Sequence, residues 1–185
     1  MKPKVFGVGA HRTGTTSLMR ALRVLGYRTS HWKDRHEINA DLERGRYRLS
    51  LMERVDAVSD LPIPSIFREL DAAFPDARFI LTIRHPDEWL ASVERHARGR
   101  ILEHEEQAFY GRSRFDAEAF RSRFEAHNRE VVEHFAGRSD LLVVNIPAGD
   151  GWDRLCAFLG EELPDPLPEF PHRSKGHDPA ATEAS

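Results

Sequence analysis

The sequence predicts a single α/β domain, a mostly parallel sheet flanked by helices in three layers, α/β/α. Three observations predict it. Short β-rich apolar runs alternate with amphipathic stretches of helical period, the pattern of right-handed βαβ crossovers. A chain of 185 residues, 40% of them hydrophobic, fills one core and is too apolar to be wholly disordered. A glycine- and threonine-rich segment sits between the first apolar run and the first helix, the setting a phosphate-binding loop requires.

Residues 4–9 read as a short buried strand. Residues 15–25 read as a helix with Leu18, Ala21, Leu22 and Leu25 on one face, stopped by Gly26. Residues 27–37 look like a polar loop and 38–47 a weak helix. A second strand is expected at 55–59, followed by Asp60 and the Pro62/Pro64 punctuation. Ser65 then opens a helix carrying Ile66, Phe67, Leu70 and Phe74, ended by Pro75. The run RFILTIR (78–84) is the clearest interior strand. Pro86 suits the first turn of the next helix, and Asp87 and Glu88 suit its positive end.

Asp116 should cap a long helix with an apolar stripe of Phe120, Phe124, His127, Val131 and Phe135. LLVVN (141–145) reads as another buried strand, and 152–159 as a last helix ended by Gly160. Five of the eleven prolines fall in 161–185, so the domain is expected over 1–160 and an extended tail over 161–185.

Charge excludes some functions. A formal net charge of −3 argues against a nucleic-acid binder that works by bulk charge. The cations are 23 Arg and 4 Lys; Arg suits anions, but composition alone explains the excess. A lone cysteine, Cys156, forms no internal disulfide and reads as packing. No run approaches the ~20 apolar residues of a membrane span, and the first apolar run is too short for a signal peptide. The expectation is a soluble cytoplasmic protein with no membrane or nucleic-acid partner; the sequence leaves its oligomeric state open.

The most informative segment is Gly9-Ala10-His11-Arg12-Thr13-Gly14-Thr15-Thr16-Ser17. Glycines let backbone approach an anion, and the N–H groups of a helix start point at it. The spacing approaches that of a nucleoside-triphosphate loop, but Thr15 stands where that loop needs its lysine. Arg12 can supply a cation from within the loop. A second anion site is expected at Arg84, at the carboxyl end of a strand where open α/β sheets bind ligands. Ser92 follows on the next helix, so guanidinium and hydroxyl can converge on one phosphate. Phosphates held at two separate points do not describe ATP.

The loop HRTGTTSL and the run RHPDEWLAS (R-x-P-x-x-x-x-x-S) resemble the two cofactor motifs of sulfotransferases that use 3'-phosphoadenosine 5'-phosphosulfate. More narrowly, the chain resembles a small bacterial and fungal sulfotransferase-like P-loop family, through VFGVGAHRTGTTSL, DLPIPSIFREL, ARFILTIRHPDEWLASV, GWDRLCAFLG and a trailing FPH. The resemblance implies a P-loop-type sheet and a first loop that holds the 5'-phosphosulfate through Arg12, Thr13, Gly14, Thr15, Thr16 and Ser17. It implies that Arg84 and Ser92 hold the 3'-phosphate, and it extends faintly to Arg173 and Lys175 in a basic tail segment.

Sulfuryl transfer needs donor and acceptor held in line, charge neutralised on the leaving phosphate, and a base for the acceptor. Arg12 suits the leaving group, and the donor motifs call for no metal. His31 is the first candidate base, since an unperturbed imidazole, with a pKa of about 6.5, is a competent base at neutral pH, although the resemblance places an acidic base in about this region of several sulfotransferase branches. Asp60 is the second. His11 shapes the loop, His85 adjoins Arg84 and either caps its helix or touches cofactor, and His127 reads as a core histidine. The expected reaction is sulfuryl transfer to a small-molecule hydroxyl or amine, with residues 27–60 and 99–115 facing the acceptor and Trp32, Phe109 and Tyr110 as candidate pocket aromatics. A divergent P-loop kinase and a non-catalytic module binding 3',5'-adenosine bisphosphate are the alternatives.

Overall fold

In the computed structural model, which describes residues 2–171, the strands are β1 (Val5–Gly7), β2 (Thr29–His31), β3 (Ala57–Ser59), β4 (Arg78–Thr82) and β5 (Leu141–Val144). They form one sheet in the order β2-β3-β1-β4-β5, and every pairing is parallel. Val5 lies opposite both Ala57 and Arg78. The α-helices are α1 (Thr15–Val24), α2 (Arg35–Leu42), α3 (Phe67–Ala73), α4 (Pro86–Ala97), α5 (His104–Tyr110), α6 (Ala117–His134) and α7 (Trp152–Leu159). Because all five strands run the same way, their carboxyl ends share one edge of the sheet.

The strand period of two sorts the core into layers. Val5, Ala57 and Ile80 pack on one face against Leu18 and Leu22 of α1 and Trp152 and Leu155 of α7. Their chain neighbours Phe6, Val58, Phe79 and Leu81 pack on the other face against Phe67 and Leu70 of α3 and Val131 of α6. Three-layer α/β/α packing is therefore as expected. A further cluster joins Trp89 and Val93 of α4, Phe109 and Tyr110 of α5, and Phe120 and Phe124 of α6 to Ala10 and Leu61 at the carboxyl edge.

Several local expectations change. Residues 27–37 are not a loop: they hold β2, a 3-10 turn at Trp32–Asp34 and the start of α2. β2 is a polar edge strand, Thr29-Ser30-His31, with no apolar run to betray it. It is held by pairing to β3 and by the Arg28 guanidinium, which grips Asp56 with bonds of 2.8 and 2.7 Å. α2 starts and ends earlier than expected, and α3 is preceded by a 3-10 turn at Ile63–Ile66. α5 has no apolar period to announce it and is set by a capping box, in which Glu103 and Glu106 satisfy each other's backbone N–H groups.

β5 is an edge strand and only half-buried, not a buried one. Asp116 caps α6 as expected, accepting from Ala119 N–H at 3.0 Å. Gly160 ends α7 at φ 67°. The described part of the tail packs back on the domain: Trp152 Nε1 donates to the Pro168 carbonyl at 2.8 Å, and Phe170 lies edge-on to the Trp152 ring.

Candidate functional site

The loop between β1 and α1 is built by close approach. A Cβ on Gly9 would lie 2.1 Å from Thr82 Oγ1 and 2.4 Å from the Thr82 carbonyl, so only glycine lets the chain pass β4 here. The Thr13 hydroxyl donates to the Ala10 carbonyl at 2.6 Å and shares a 2.6 Å hydrogen bond with Thr82 Oγ1. It is fully buried and braces the loop. Arg12 (φ 66°) and Gly14 (φ 107°) are both left-handed, the backbone geometry of anion-binding concavities. Gly14 is the N-cap of α1, so the helix starts on the loop's last glycine. Thr16 is half-buried; Thr15 and Ser17 are buried.

The second motif meets the first. Arg12 Nε donates to Ser92 Oγ at 3.1 Å, from loop to α4. Trp89 Nε1, one turn earlier on α4, donates to the His11 carbonyl at 2.9 Å and pins the helix to the loop. Arg84 follows β4 at the same edge, and its Nε donates to Glu88 Oε2 at 3.3 Å. Glu88 is well exposed, so this i,i+4 pair can open when a stronger anion arrives.

The two candidate bases turn out to be neighbours. His31 at the end of β2 places Nε2 3.3 Å from Asp60 Oδ2, just beyond β3, and 3.3 Å from Thr15 Oγ1. Asp60 is buried, adopts φ 77°, and accepts the Leu61 N–H at 3.0 Å. A non-glycine residue held there is strained, and such strain is often kept where a side chain must point one way. Beside His31 a shallow recess is lined by Ser30, Trp32, Asp34, Arg35 and Ile38. The Arg35 guanidinium covers the Trp32 ring at 4.4 Å. Phe109 and Tyr110 are buried in the cluster around α4 to α6.

The remaining histidines divide by environment. His11 is buried, which holds its pKa down to about 4 against the pull of Asp60 and Glu106. His85 is exposed, 3.8 Å from Asp87. His127 Nε2–H donates to the Val8 carbonyl at 2.7 Å inside the core, and burial holds its pKa down to about 4. Cys156 is buried with its pKa raised by that burial, as packing predicts. Glu106 went unnoticed in the sequence. Burial raises its pKa, but Arg100, bidentate at 2.7 Å on both oxygens, and the Glu103 N–H outweigh that and lower it. Its one local signal is its place three residues after Glu103 in the capping box of α5. Arg173 and Lys175 lie outside the described residues.

Over residues 4–103 and 97–178 the sequence matches the family model of a sulfotransferase domain, and the chain belongs to that family. It is 28% identical to Ava biosynthesis cluster protein M of Aspergillus versicolor over 214 aligned positions, covering 91% of this chain and 80% of that protein. A crystal structure of a sulfotransferase from Alicyclobacillus acidocaldarius superposes with a TM-score of 0.56 at 19% identity, over 97% of this chain and 87% of that one. That likeness is one of fold. Among the described residues no helix is long and apolar enough to cross a membrane.

Proposed function

We propose that this sulfotransferase-domain protein moves a sulfuryl group from 3'-phosphoadenosine 5'-phosphosulfate to a hydroxyl or amine of a small-molecule acceptor. The observation that carries the reading is the Arg12–Ser92 hydrogen bond, which joins the two anion motifs into one continuous site along the carboxyl edge. The residues there fit the donor: a left-handed loop opening a helix, Arg12, Thr15 and Thr16 for the 5' end, and Arg84 with Ser92 for the 3'-phosphate. The donor supplies an activated sulfuryl group on a phosphate leaving group. Arg12 and the loop amides neutralise charge on that phosphate.

His31 is the base and Asp60 its positioning partner. With Nε2 3.3 Å from Asp60, the carboxylate orients the ring and stabilises the imidazolium that forms when His31 takes the acceptor proton. The relative from Aspergillus versicolor, named for a biosynthesis cluster, is in keeping with a small-molecule acceptor.

Calorimetric titration with 3',5'-adenosine bisphosphate, and with ATP plus Mg²⁺, tests the reading on wild type and Arg84→Ala. The bisphosphate is expected to bind without metal and about 10- to 100-fold more weakly to Arg84→Ala, the loss of a charge-assisted contact. Tighter binding of ATP, or indifference to Arg84, would overturn it.

A further inference from the structure

Behind the anion loop, three ligating side chains from three elements converge: His11 of the loop, His96 in the last turn of α4, and Glu106 of α5. One donor atom of each lies within 4.8 Å of the others. His11 Nδ1 is 3.7 Å from Glu106 Oε1, and the His11 and His96 rings meet edge to face at 6.0 Å. His11 is only 7% exposed, yet its Nε2 has no hydrogen-bond partner. Buried polar atoms are rarely left so, because the lost solvation is not recovered. The Tyr110 hydroxyl, whose ring lies 5.6 Å from that of His11, is orphaned in the same way. His96 is exposed, which leaves the cluster a path to solvent.

We propose that His11, His96 and Glu106 form a binding site for a single divalent transition-metal ion of the zinc–cobalt class. Two imidazoles and one carboxylate are the donor set such ions prefer, whereas magnesium and calcium prefer oxygen alone. Ligands about 2.0–2.2 Å from a tetrahedral ion lie about 3.4 Å apart, so the three donor atoms, within 4.8 Å of one another, close by as much as about 1.4 Å on binding. The fourth position falls to water.

Arg100 is the opposing feature. It pairs with both Glu106 oxygens; Oε2 also accepts the Glu103 N–H, so Oε1 is the oxygen that keeps a lone pair for the ion, and Arg100 becomes the partner of a ligating carboxylate while its charge weakens the site. The ion takes no part in sulfuryl transfer. It ties the anion loop to α4 and α5, holding the backbone next to Arg12 against the helical layer. This site stands independently of the donor chemistry proposed above.

The test is a titration of untagged full-length protein with Co²⁺ alone, followed by visible absorption and calorimetry. Wild type is expected to bind one equivalent, with the intense d–d bands of a low-coordinate ion that Zn²⁺ then bleaches. His96→Ala, which removes an exposed ligand, is expected to bind at least about 100-fold more weakly, with an unchanged melting temperature when metal-free. Absence of the absorbing complex in wild type, or a complex that survives His96→Ala, would overturn the site.

Discussion

The carboxyl edge of the sheet is built in two ways. On the proposed donor side, β1 with its loop and α1, and β4 with α4, each carry their candidate anion-binding groups within about ten residues of a strand end. Left-handed turns and a glycine pressed against Thr82 shape them. On the acceptor side no segment is complete alone: His31 ends β2, Asp60 follows β3, and they meet only because β2 and β3 pair in parallel register. One side depends on backbone conformation and should fail through backbone changes. The other depends on strand pairing and side-chain contacts and should fail one group at a time.

The harshest way to break the contrast is Gly9→Ala. Its methyl group meets the Thr82 backbone, so the loop must leave β4 or the strand must shift. Overpacking of this kind is expected to lower stability by about 3 kcal/mol, read by urea unfolding, and to abolish bisphosphate binding together with it. A stable, tightly binding Gly9→Ala protein would show that the donor side does not rest on this contact.

A second experiment separates chemistry from binding on the acceptor side. In single-turnover transfer, His31→Ala should lower the rate by about 10²- to 10⁴-fold with bisphosphate affinity retained. Asp60→Asn should lower it less and shift the pH profile, because Asp60 acts through His31. Equal rates in both variants and wild type would remove the base assignment.

The smallest expected effect lies beneath both sides. His127 has a pKa of about 4 when folded and ~6.5 when unfolded, so between those values the unfolded chain binds more protons. Its contribution to stability is complete above the unfolded value and is lost as pH falls toward the folded one. That amounts to about 1 kcal/mol between pH 7.5 and 5.5. Chemical denaturation across that range should show the slope, and His127→Gln should flatten it.

Legibility in the sequence follows the same division. The strand of residues 78–84, the cap at Asp116, the stop at Gly160 and the loop of residues 9–17 were readable because period, capping and glycine placement are local signals. β2 was not, because a three-residue polar edge strand exists only through Arg28–Asp56 and its pairing with β3. α5 was missed because its capping box starts on Glu103 and not on the serine or threonine that signals one, and its seven residues are too few to show an apolar period; Glu106 is buried by contacts with Arg100 and His11. His31 and Asp60 were both singled out, but as rivals; the fold makes them partners.

By itself, then, the amino-acid sequence determined the α/β architecture and located both candidate anion motifs, since these rest on steric and hydrogen-bonding requirements among near neighbours in the chain. Only the tertiary structure decided that Arg12 reaches Ser92, that His31 meets Asp60, and that His11, His96 and Glu106 converge. Those contacts join residues far apart in the chain, and their distances are set by how strands pair and helices pack, which no local pattern of residues encodes.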